Sequence, residues 1–284
     1  MIPEQIIVAT DFSLAAESAI AVAASFARRF EAKVLVINVF EDVANHRYQI
    51  PVSWIVEALR KDRKLQMCQK VRMLQQSGIQ TEGIVLEDGL ASTEILKTLR
   101  RFANTLLVMG THARSGLERF MLGSTAEEVL RQATCPVVTA GPHIRPKGSG
   151  AFQRLLFATD FSNASRVAAE FVQILGRKEG TDLTVLHVSA EPTFDRFGEN
   201  AAFDPLRRML GSDKAPGAAI PQYRTLHGHD ISQAIVNEAE HLDADLIILG
   251  VRRGGACTSR IRAKTAYQVI AAAPCAVLTI ASDA

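Results

Sequence analysis

The chain has 284 residues, 48% hydrophobic and 6% aromatic, with 32 Lys plus Arg against 30 Asp plus Glu and a net charge of +2. That length builds one large domain or two of ordinary size, and the balanced charge sets aside the polyanion-binding signature of nucleic-acid proteins. The first residues lack the regions of a signal peptide and no apolar run reaches membrane-helix length, so a cytoplasmic protein without a membrane partner is expected.

In chain order, "QIIVAT" reads as a buried strand, and "LAAESAIAVAASFARRF" has the apolar spacing and Ala content of a helix packed on a sheet. "KVLVINVF" is a second apolar, β-branched run, followed by a long helix from Trp54 to Gln76 that stops at Ser77-Gly78. Then come "TEGIVL", a helix from about Ala91 to Phe102, the strand "TLLVMG", a helix from Ser124, and the strand "PVVTA". Cys68, Cys135, Cys257 and Cys275 form no CxxC pair, which argues against a zinc ribbon or a disulfide framework. Cys135 and Cys275 each precede an apolar run and read as buried thiols.

The pattern then repeats. "IIVATDFSLAAESAIAVAASFA" at Ile6 returns as "LLFATDFSNASRVAAEFVQILG" at Leu155, an offset of 149 residues. "NTLLVMGTHARSG" and "ATCPVVTA" return as "ADLIILGVRRGGA" and "APCAVLTI" at an offset of 140, so the second copy is shorter between its second and third strands. The expected division is a first domain over 1–141, a Gly-, Pro- and Lys-containing linker over 142–153 and a second domain over 154–284. Five strands alternating with four helices specify a parallel sheet covered on both faces. The fold class is therefore α/β: two tandem, doubly wound, Rossmann-like domains of five parallel strands.

In such sheets ligands bind beyond the carboxyl ends of the strands, where strand order reverses. That rule selects Ala9, Thr10 and Asp11 after strand one, Val39 in strand two, Gly110 after strand four, and the loop into the last helix. Gly110, Gly123 and Ser124 stand where backbone amides and a helix N-terminus could face an anion, with Arg114 and Arg119 nearby in sequence. The alternative is structural: "STAE" at Ser124–Glu127 has the form of a capping box, Gly110 could end a strand, and the arginines could be solvated. On spacing alone the two readings stand level. There is no GxxxxGK[ST] and no GxGxxG. "HGHD" at His227 reads as a loop into a helix with Asp230 as N-cap.

These residues resemble the universal stress protein family in its tandem form, over nearly the whole chain. Its nucleotide-binding members carry G-x2-G-x9-G-[S/T] after strand four and an Asp after strand one. Gly110, Gly123, Ser124 and Asp11 match. The resemblance implies ATP, accompanied by Mg or Mn, at the carboxyl ends of the first-domain strands. Asp11 would contact the nucleoside, Ala9, Thr10 and Val39 would line the adenine pocket, and Gly110 would lie under the ribose and phosphates. Gly123, Ser124 and the Thr125 amide would hold the phosphate chain, and Met109 and Ala113 complete the set. Ala113 stands at the pattern's second glycine, and if that position needs a positive φ it costs about 1 kcal/mol.

In the second copy Gly250 and Asp160 remain, but Arg253, Ala263 and Lys264 replace the other motif positions, so that domain is expected to be mainly structural. The expected function is a nucleotide-binding stress or signalling protein, not an enzyme. Two alternatives stay open: a nucleotide-free interaction scaffold and a slow ATPase, for which His112 is a lone imidazole. No catalytic residue and no protein-held metal site are assigned. The resemblance also implies that "PVVTA" and "AVLTI" pair within the chain as a pseudo-dimer, with a homodimer and an unnamed protein partner left open. Specificity for a partner or ligand is expected in Glu41–Ser77 and Glu191–Ile220. "FGENAAFDPLRRMLGSDKAPGAAIP" has weak periodicity and is expected to be a partly mobile crossover.

Overall fold

The computed structural model describes residues 2–40, 53–87, 89–111, 122–141, 144, 152–190, 201–211, 218–252 and 259–282. The first half runs β1 (Gln5–Ala9), α1 (Leu14–Phe30), β2 (Lys33–Phe40), α2 (Ser53–Gln76), β3 (Thr81–Glu87), α3 (Ala91–Leu99), β4 (Thr105–Gly110), α4 (Ser124–Gln132) and β5 (Val137–Ala140). The second runs β6 (Arg154–Ala158), α5 (Asn163–Gly176), β7 (Asp182–Ser189), α6 (Asp204–Leu210), β8 (Gln222–His227), α7 (Ile231–His241), β9 (Leu246–Arg252), α8 (Ser259–Ala272) and β10 (Ala276–Ser282).

All ten strands form one sheet in the order β3-β2-β1-β4-β5-β10-β9-β6-β7-β8. Within each half the pairing is parallel, and the halves meet where β5 and β10 run antiparallel, with Leu278 opposite Val138. The two sequence segments expected to pair thus do so, and each covers the other's open edge.

Strand alternation sorts the apolar side chains onto two faces. Residues of α1, α2, α5 and α6 share one cluster, continuous across both halves, with Phe26 and Phe157 fully buried. Burying a side chain of that size contributes roughly 1.5–3 kcal/mol. The opposite face carries α3 and α4 over the first half and α7 and α8 over the second, in two clusters that share Leu122 and Leu130 at their rims. Phe26 also packs on Phe152, with ring centroids 4.3 Å apart, so the chain just before β6 is anchored in this core. Arg29 of α1 donates to the Leu175 carbonyl in the last turn of α5, where a helix C-terminus favours a cation. Burial there pulls the Arg29 pKa down.

The weakly periodic crossover after β7 contains a short helix among the described residues: Asp-Pro opens α6, and Phe203, Leu206 and Leu210 are buried. The spacing of Leu206 and Leu210 was the signal, easily lost among the flanking Gly and Pro residues. Cys275 is buried as expected, whereas Cys135 is only half-buried at the rim of its cluster.

Candidate functional site at the strand ends of the first domain

Strand order turns back between β1 and β4, and the residues selected on β1, β2 and β4 lie at neighbouring register positions there. Ala9 is level with Met109 on one side and Ile37 on the other, which places Val39 one pleat further along β2. Ala9, Val39 and Met109 all pack into the cluster under α3 and α4, so they share one face of the sheet. Met109 is buried, while Ala9, Val39 and Gly110 are half-buried and Asp11 is exposed.

The turn after β1 shows why "ATDFS" occurs twice. Phe12 has a φ of 63° and Phe161 one of 58°, a left-handed conformation that is strained for a bulky residue. The Thr10 hydroxyl accepts from the Phe12 amide at 2.9 Å, and Thr159 does the same for Phe161 at 3.0 Å. Asp11 accepts from the Ser13 amide at 2.9 Å, and Asp160 from Ser162 at 3.0 Å. Ser13 and Ser162 then cap α1 and α5 through the amides of Ala16 and Ser165. The Thr, Asp and Ser of the motif therefore each have a conformational task in both copies, apart from any ligand.

Two residues not selected from the sequence complete the first turn. Asn38 donates to the Thr10 carbonyl at 2.7 Å, and His187 contacts the Thr159 carbonyl at 2.8 Å in the matching place. A polar residue inside "VLVINVF" was the available signal for Asn38. Its Oδ1 is buried with no partner among the described residues. Arg63 of α2 donates to the Asp11 carbonyl at 2.5 Å and lies over the Phe12 ring at 5.7 Å, a contact no local pattern announces.

The helix after the Gly-containing loop does not use a capping box. The residue at its N-cap is Gly123, with φ −61° and ψ 145°, and Ser124 is the first helical residue and makes no side-chain cap. The Glu127 amide bonds the Gly123 carbonyl at 2.9 Å and closes the first turn. The amides of Gly123, Ser124 and Thr125 precede that bond and have no acceptor within the helix. The reciprocal Ser124–Glu127 exchange of a capping box fails because the helix begins one residue earlier than that motif requires. Ser124 is exposed and Thr125 half-buried.

The second copy is built differently at the same place. There α8 begins at Ser259, so Ala263, Lys264 and Thr265, which match Gly123, Ser124 and Thr125, lie inside a continuous helix. A helix interior consumes those amides in its own bonds, leaving no cradle for an anion. Lys264 instead lies within electrostatic reach of Asp230. As expected, Asp230 caps α7 by accepting from the Gln233 amide. Hydrogen bonds from the Ser232 hydroxyl first, and from the Gln233 amide next, hold its pKa below the usual range.

Gly250 has a packing reason of its own: a Cβ there would lie 2.5 Å from the Ala164 carbonyl oxygen and 2.5 Å from the Ser165 nitrogen. Gly110 occupies the matching position at the end of β4. His112, Ala113, Arg114 and Arg119 lie outside the described residues, as do Arg253 and the side chains of Arg260 and Arg262. Among the described residues no helix is long and apolar enough to cross a membrane.

A sequence profile described as the universal stress protein family matches residues 3–140 and again 151–281. The chain belongs to the universal stress protein family. It carries two family domains in tandem, joined through β5 and β10. A universal stress protein of Methanocaldococcus jannaschii, MJ0531, is 32% identical over 137 residues, covering 48% of this chain and 80% of that protein. One of Thermus aquaticus is 31% identical over 135 residues, covering 47% of this chain and 95% of that protein. The crystal structure of a universal stress protein from Archaeoglobus fulgidus superposes with a TM-score of 0.80 at 21% identity, covering 99% of each chain. That likeness extends the family's fold over both domains.

Proposed function

We propose that this universal stress protein binds ATP, or a related adenine nucleotide, in its first domain and acts as a stress-response or signalling protein. The carrying observation is the contrast between the two copies. In the first, α4 opens at Gly123-Ser124, so its leading amides have no acceptor within the helix, and Leu122 and Ala126 share a cluster with Met109 of β4. In the second, the same positions are wound into α8.

The residues present fit such a ligand. Half-buried Ala9 and Val39, in one cluster with buried Met109, offer an apolar wall for adenine, and Asp11 stands exposed after β1 for the nucleoside. The amides of Gly123, Ser124 and Thr125, at the positive end of α4, suit a phosphate chain. A divalent cation, Mg or Mn, would accompany that chain. We read the site as one for binding and not for turnover: Asp11 is committed to the Ser13 amide and to the nucleoside, which leaves no base assigned to a water.

The test is mass spectrometry of nucleotide released from the purified protein on denaturation, joined to titration with Mg–ATP and Mn–ATP. Adenine nucleotide near one per chain supports the reading. An empty protein that neither binds ATP nor changes its partner binding with nucleotide supports the interaction scaffold instead. Hydrolysis that disappears in Gly123→Val would make the protein a slow ATPase.

A further inference from the structure

We infer that the second domain holds the phosphate-facing turn of the first domain in its binding shape, with Leu122, Leu130 and Tyr267 as positioning residues. The inference rests on the nucleotide reading above for its consequence, though not for its structural content.

Leu122 immediately precedes Gly123, and it is half-buried against two cores at once. One is the cluster of α3, α4 and their strands, and the other is the second-domain cluster built from α7, α8, β9 and β10. Leu130, two turns along α4, bridges the same two clusters. Both ends of α4 are thus fastened to the second domain by side chains, while Ala126 and Val129 fasten it to its own sheet. The antiparallel β5–β10 pair makes this inevitable, because α4 precedes β5 and α8 precedes β10 on the same face.

From the other side, Tyr267 of α8 is half-buried against the second-domain cluster. Burial raises its pKa, and Glu127 raises it further, which brings α4 and α8 within electrostatic reach at this point. The extra length of α8 then has a use. Having wound Ala263–Thr265 into helix, the second copy gives up an anion turn and presents a continuous helix beside α4. A helix N-terminus binds an anion best when its amides are already aimed, since ordering them on binding would consume affinity. The two copies divide the work: one supplies the amides and the other keeps them aimed.

The experiment is hydrogen exchange of the full, nucleotide-free chain in wild type, Tyr267→Ala and Tyr267→Phe. The Glu127 amide, bonded to the Gly123 carbonyl, reports closure of the first turn of α4. Exchange at 127–130 is expected to rise about tenfold in Tyr267→Ala, to stay at the wild-type rate in Tyr267→Phe, and to leave α3 unchanged. Unchanged exchange at 127–130, or an equal rise in α3 from general loss of stability, overturns the inference. Mg–ATP titration of the same three proteins then shows the consequence: a weaker site, by about tenfold, in Tyr267→Ala and rescue in Tyr267→Phe. A wild type that binds no nucleotide contradicts the proposed function, while the exchange comparison still decides the role of the second domain.

Discussion

Arg63 reaches from α2 to donate a 2.5 Å hydrogen bond to the main-chain carbonyl of Asp11, with its guanidinium stacked over Phe12. A helix in the segment that differs most between the copies therefore fixes the turn that presents Asp11. Replacing Arg63 by Ala removes one charge-assisted hydrogen bond and one cation–π contact, together worth about 1–2 kcal/mol. We expect Arg63→Ala to weaken ATP binding several-fold with only a small fall in melting temperature. Unchanged affinity would show that the turn holds its shape without α2.

The repeated motif is a turn first and a ligand site second. Thr10→Val and Thr159→Val each remove the acceptor for a left-handed Phe amide and should each cost about 1 kcal/mol in urea denaturation. Because the two turns are in different domains, the double variant should show the sum. Only Thr10→Val is expected to alter nucleotide affinity.

Gly250 is fixed by the N-terminal turn of α5, whose backbone leaves no room for a methyl. Gly250→Ala should destabilise by about 3 kcal/mol or more, since backbone must move to admit it. A neutral outcome in denaturant titration would contradict the helix–strand packing described for β9.

These two cases show what the sequence could and could not disclose. β2 and α1 occupy the runs "KVLVINVF" and "LAAESAIAVAASFARRF" in full, because a short continuous β-branched apolar run and a helical apolar pattern report directly on burial. The strand reversal belongs to the doubly wound reading, since an open parallel sheet covered by helices on both faces must reverse its strand order. The functional reading of Asp11 and Gly110 was legible only as a resemblance: Asp11 has a turn-forming task that Asp160 repeats in the second copy, and Gly250, the counterpart of Gly110, has a packing task. The capping box was misread because a one-residue difference in helix start decides whether Ser124 caps or begins the helix. Arg63 and Tyr267 act across elements distant in sequence, where local spacing carries no information.

Asp230 gives a pH signature. Its pKa is held down in the folded protein by Ser232 and Gln233, with a smaller contribution from Lys264, so its charge stabilises the fold above the unfolded value of about 3.9. That contribution is lost as pH falls through the lower, folded value. Asp230→Asn should therefore melt below wild type at pH 6–7 and converge with it in strongly acidic buffer. A gap that persists at about pH 2 would assign the stabilisation to shape and not to charge.

The central claim is that one of two homologous domains carries the nucleotide. Calorimetric titration of Mg–ATP into wild type and Gly123→Val tests it most directly. The account predicts one site per chain in the wild type and none in Gly123→Val. Two sites per chain, or a single site that survives Gly123→Val, would contradict it.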